Sequence, residues 1–168
     1  MILIAGDSYS DASDNNSCCR GSVERYSWVD RLSEDFEIRC VGQVGASNYD
    51  IVRQVSRERG YSLLVVNLSH PERVSTYPPH PKVEDESDLN FKIAAQFAQR
   101  ANTICWTPFA GYESIPGILY QPVAEHNELY TESVEYECTK HHFTREGNDI
   151  MYRWMKERLN ETLVDVVQ

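Results

Sequence analysis

Short apolar runs separated by longer amphipathic stretches constrain this chain more than any other feature. Ile2–Ala5, Phe36–Val41, Leu63–Leu68 and Thr103–Trp106 are compact apolar runs rich in Ile, Leu and Val, and Gly117–Tyr120 is a weaker fifth. Runs of this length, with no regular polar alternation, suit strands covered on both faces. The stretches between them have helical spacing. Ser22–Phe36 sets Tyr26, Val29, Leu32 and Phe36 on one stripe, and Ser47–Arg59 carries Ile51, Val52 and Val55. Ser87–Ala101 places Leu89, Ile93 and Phe97 at steps of four, and Thr144–Leu163 repeats the pattern through Met151, Met155, Leu159 and Leu163. Each is apolar on one side and polar on the other, as a surface helix requires. Alternating strands and helices with right-handed crossovers give a parallel sheet between two helix layers. The expectation is a three-layer α/β/α sandwich with five parallel strands, one domain over residues 1–168.

Composition narrows the class of partner. A formal charge of −10 argues against a general nucleic-acid or anionic-membrane binder. No segment has the length of a membrane span, and the opening MILIA is too short, and lacks the basic flank, for a signal peptide. The expected compartment is the cytoplasm. Cys18, Cys19, Cys40, Cys105 and Cys138 are odd in number and show no CxxC spacing, so reduced thiols are expected rather than a disulfide framework or a zinc knuckle. Phosphate loop, dinucleotide fingerprint and HExxH are all absent, so no metal or cofactor is expected. Oligomeric state is not legible.

Two segments interrupt the alternation. Ser10–Gly21 is rich in Asn, Asp and Ser, and Ser69–Glu86 is rich in proline and charge. Both follow predicted strands, at the carboxyl edge where long loops often line a site. Ser8 follows the first strand at that edge, Gly45 follows the second, and Asn67 ends the third. The stretch HHFTREGND before the last helix brings His141 or His142 to the same place. A serine hydroxyl attacks carbonyls only when a base takes its proton, and a neutral imidazole suits that task. The unpaired N–H of a residue opening a helical turn favours a developing oxyanion, and a glycine lets another N–H approach closely. A Gly-Asp-Ser also makes an ordinary turn; the histidine at the far end of the chain is what favours the nucleophile.

These parts resemble the SGNH (GDSL-type) hydrolases, esterases and deacetylases with a flavodoxin-like fold. GDSYSD at Gly6–Asp11 is similar to the first block of that family, VGASNYDI at Val44–Ile51 to the second, and HFTREGN at His142–Asn148 to the last. The resemblance implies strand order 2-1-3-4-5, with Ser8 as nucleophile and first oxyanion donor, Gly45 as second donor and His142 as the general base. It implies an ester substrate, small or an acylated saccharide, and no cofactor. Two positions depart from the pattern. Where the family places an aspartate three residues before the histidine, this chain has Thr139, leaving Glu137 or a main-chain carbonyl to orient the ring. The third block, normally Gly-x-Asn-Asp, reads VVNLSHPERV, so the third donor is Asn67 or, by loop position, Ser69, His70 or Arg73. The alternative these departures raise is a catalytically impaired module that binds a partner or glycan. The compact chain and SHPERV loop also look like SGNH-type proteins of tailed bacteriophages, which would place it in the host cytoplasm or virion.

Overall fold

Strands buried on both faces must be flanked by helices on both faces, and that is the arrangement found. A computed structural model of the chain describes residues 1–10, 27–75, 86–121 and 143–167. Among them lie β1 (Ile2–Ala5), α1 (Trp28–Asp35), β2 (Ile38–Cys40), α2 (Asn48–Ser56), β3 (Leu63–Asn67), α3 (Glu86–Ala98), β4 (Thr103–Thr107), β5 (Ile118–Tyr120) and α4 (Arg145–Val167). The sheet has the order β2-β1-β3-β4-β5, with every adjacent pair parallel. Ile4 stands opposite Cys40 on one side and Val65 on the other, so β1 lies inside the sheet between β2 and β3.

Alternate side chains of each strand go to opposite faces, and each face has its own core. Ile2, Ile4, Val65, Ile104 and Trp106 pack under Trp28, Val29 and Leu32 of α1 and Met151, Met155 and Leu159 of α4. Leu3, Ala5, Leu64, Val66 and Cys105 pack under Ile51 and Val55 of α2 and Ile93, Ala94 and Phe97 of α3. This is the expected α/β/α sandwich. The edge strand β2 is short and partly open, and Arg39 on it pairs with Glu58 at 2.7 Å.

Local chemistry sets the helix boundaries. The predicted Ser22–Phe36 helix starts, within the described residues, only at Trp28. Ser27 is extended and caps α1 by accepting from Asp30 N–H, while the Asp30 carboxylate accepts from Ser27 N–H. Ser47 and Asp50 repeat this reciprocal cap on α2. The helices predicted to reach Arg59 and Ala101 stop at Ser56 and Ala98, before left-handed turns at Gly60 (φ 78°) and Asn102 (φ 53°). Asn148, in the first turn of α4, accepts from Trp28 N–H at 2.9 Å and donates to Phe143 O and Thr144 O at 3.2 and 3.0 Å. That buried amide locks the entry of α4 to the entry of α1 at the carboxyl edge. Among the described residues, no helix is long and apolar enough to cross a membrane.

Candidate active site

Gly6 is the first residue past β1, squeezed against the end of β3. A Cβ at this position would lie 2.7 Å from Asn67 Cβ and 3.0 Å from Ser10 Oγ. Gln54 from α2 pairs with both backbone groups, accepting from Gly6 N–H at 3.0 Å and donating to Gly6 O at 3.1 Å. The glycine is therefore required by close approach of two strand ends. Gly6→Ala is expected to lower unfolding free energy by about 2 kcal/mol or more, an overpacking cost readable in urea denaturation.

The chain then turns sharply. Ser10 N–H donates to Asp7 O at 3.0 Å, and Tyr9 N–H donates to the Asp7 carboxylate at 3.1 Å. Trp28 Nε1–H donates to Tyr9 O at 2.8 Å, and Cys40 Sγ–H to Ser10 O at 2.8 Å, anchoring the turn to α1 and β2. Ser8 sits at its half-buried tip, and its N–H has no partner among the described residues. The nucleophile candidate is held in place and left accessible.

Gly45, in the loop after β2, adopts φ 75° with open space where a Cβ would stand. Its N–H likewise has no partner among the described residues. With His70, Glu72, Arg73 and Val74 it lines an open cleft of about 460 Å³. Two loops that the sequence placed at one edge thus share one depression.

The third-block alternatives separate by burial. Asn67 is still within β3 and fully buried, its amide donating to Leu68 O at 3.3 Å. Ser69 is fully buried as well, whereas His70 and Arg73 reach the cleft. The loop carrying them is pinned from below. Ser69 N–H donates to Asn48 Oδ1 at 2.9 Å, and Tyr112 O–H donates to Ser69 O at 2.7 Å. Asn90 Nδ2–H donates to Pro71 O at 2.9 Å and to Arg73 O at 2.8 Å. Ser75 O–H closes the loop on Asp50 at 2.7 Å. Burial pushes the Tyr112 phenol far above its usual range, so it stays a donor. Glu72 N–H donates to His70 Nδ1 at 3.2 Å. In the neutral ring this acceptor role at Nδ1 puts the hydrogen on Nε2.

Asp7 is an acid that reading the sequence did not single out. It is fully buried, and burial pushes its carboxyl up to about 6 against the opposing pull of Arg73, Tyr9 N–H and the Ser69 hydroxyl. The Ser69 hydroxyl lies beside the carboxyl without hydrogen-bond geometry, and Asp7 Oδ2 has no partner among the described residues. Ser10 Oγ, Asn67 Oδ1 and Ser69 Oγ share that condition, all at the ends of β1 and β3. Trp106 Nε1, near the end of the neighbouring β4, shares it too. The only signal in the sequence was a carboxylate directly behind an apolar strand.

A row of rings crosses the same edge. Phe143 and Tyr9 meet edge to face at 5.2 Å, Tyr9 and Phe109 at 5.7 Å, and Phe109 and His70 at 5.5 Å. Phe109 is half-buried in this row, whereas Trp106, three residues earlier, belongs wholly to the core. His142, His141, Glu137 and Thr139 lie outside the described residues, as do Cys18, Cys19 and Cys138. Phe143, the chain neighbour of His142, is buried against Tyr9, the chain neighbour of Ser8.

A smaller crevice of about 270 Å³ between α2 and α3, lined by Val52, Val55, Ile93 and Phe97, lies toward the carboxyl ends of those helices. That is the opposite edge of the sheet from Ser8. Burial pushes the Cys105 thiol up to about 12, which makes it inert. No group of three or more His, Cys, Asp or Glu with metal-ligand placement occurs among the described residues. Compared with known proteins, the chain matches no family model and no curated protein.

Proposed function

We propose that this chain is a serine ester hydrolase of the SGNH type, acting on a small ester or an O-acylated saccharide. The observation that carries the reading is the Phe143–Tyr9 contact at 5.2 Å. It joins the immediate neighbours of His142 and Ser8, and consecutive Cα atoms are only about 3.8 Å apart.

In this reading His142 takes the Ser8 proton as Ser8 Oγ attacks the ester carbonyl. The oxyanion of the tetrahedral intermediate meets the N–H groups of Ser8 and Gly45, neither of which has another partner among the described residues. Fixed N–H donors that meet the developing charge need little reorganisation, which is the main source of such catalysis. His70 Nε2–H is the third donor, a role Asn67 leaves open because its amide is buried on Leu68 O. Protonated His142 then returns its proton to the leaving alcohol, and a water activated by the same imidazole releases the acid. The Tyr9–Phe109–His70 row supplies an apolar wall for an acyl chain or a sugar face.

A fluorophosphonate probe tests this reading. The wild-type protein is expected to be labelled at Ser8 and to hydrolyse 4-nitrophenyl acetate, and Ser8→Ala to lose both signals. Absence of labelling in a folded wild-type protein would assign the cleft instead to a binding module.

A further inference from the structure

The cleft holds a cation that the hydrolytic steps above do not use. Arg73 is half-buried there. No carboxylate lies within ion-pair distance of it among the described residues. Its main chain is fixed at both ends, N–H donating to His70 O at 3.0 Å and O accepting from Asn90 at 2.8 Å. Two acids are close. Glu72 lines the same cleft but is exposed to solvent, which screens it. Asp7 acts on Arg73 through space, not by contact, and is fully buried.

A half-buried arginine with no carboxylate at ion-pair distance, on a pinned loop, is an anion receptor in waiting. The chain has a net charge of −10, so an anionic ligand is repelled everywhere except where a local cation reverses the field. His70, beside Arg73 in the sequence turn and in the cleft, belongs to the wall against which the ester would lie. We infer that the substrate carries a carboxylate in the same molecule as the scissile ester, and that Arg73 receives it as a fork of two N–H donors. This inference rests on the hydrolase reading for its substrate but on Arg73 alone for its anion.

Two esters of matched length test it: mono-4-nitrophenyl glutarate, which ends in a carboxylate, and 4-nitrophenyl pentanoate, which does not. The wild-type protein is expected to favour the glutarate ester by about tenfold or more in kcat/KM, the size of a charge-assisted contact. Arg73→Gln is expected to erase that preference, mainly through KM. Arg73→Lys is expected to recover part of it, because lysine keeps the charge and loses the planar fork. Added salt should weaken the preference in the wild type. An unchanged glutarate-to-pentanoate ratio in Arg73→Gln overturns the inference, and this includes the case in which both esters slow equally because Arg73 serves the oxyanion. Where neither ester is turned over, glutarate itself is titrated against the wild-type protein and Arg73→Gln by NMR. Binding that depends on Arg73 then upholds the anion site while the hydrolase reading falls, and no binding by the wild type overturns the anion site too.

Discussion

His142→Ala is expected to lower kcat/KM for 4-nitrophenyl acetate by at least about 10³-fold, where loss of the base in a serine protease costs about 10⁶-fold. The effect is large because the Ser8 hydroxyl loses its proton acceptor and the leaving alcohol loses its donor in one substitution. Oxyanion donors and binding would sustain only the remainder. His141→Ala next to it is expected to keep wild-type turnover, since the proposed base is His142. Glu137→Gln separates a triad from a dyad. A further drop of about 10²-fold or more would make that carboxylate the ring's orienting acid, and no change leaves a Ser–His dyad. Near-wild-type turnover in His142→Ala would remove residue 142 from the chemistry altogether.

Asp7→Asn is expected to stabilise the protein at pH 8 by about 3 kcal/mol and to do nothing at pH 3, as judged by urea denaturation across the range. The direction follows from the raised pKa. Asp7 ionises near 6 in the folded chain and near 3.8 when unfolded. Below about 3.8 both states hold the proton and the residue is neutral to stability. Between the two values the unfolded chain ionises first, so wild-type stability declines as pH rises, and above about 6 the full penalty of a buried carboxylate persists. Asparagine removes the charge without removing the local bond, because its carbonyl still accepts from Tyr9 N–H. Wild type and variant tracking each other from pH 3 to pH 8 would mean that Asp7 is not desolvated as the fold implies. A protein that keeps so costly an acid behind its candidate nucleophile fits the usual trade of stability for activity at working sites.

The contrast between Asp7 and Asn67 marks how far a one-dimensional reading reaches. Helical stripes and unbroken apolar runs come from periodicity, so the element order and the α/β/α layers were legible before any coordinates. So was the shared edge, because carboxyl ends of parallel strands all face one way. Burial of single polar residues follows another logic. Asn67 is the last residue of β3 and is enclosed, while His70, three residues later, lines the cleft. Nothing in VVNLSHPERV marks that boundary. The helix before β2 shows the same limit in reverse: its stripe continues past Ser27, but Ser27 and Asp30 terminate it by hydrogen bonding.

What the amino-acid order alone determined is which chemistry-bearing residues emerge at the carboxyl edge, since strand and helix periods are local and the handedness of crossovers is general. Tertiary packing alone decided which of them remain open. Gly6 presses the end of β1 against Asn67, Tyr112 and Asn48 hold Ser69 down, and the loop they pin leaves His70 and Arg73 beside Gly45. Those contacts join residues from distant parts of the chain, and their energy depends on distances that no local pattern encodes. That is why Asp7 became costly and Arg73 available only once the fold had closed around them.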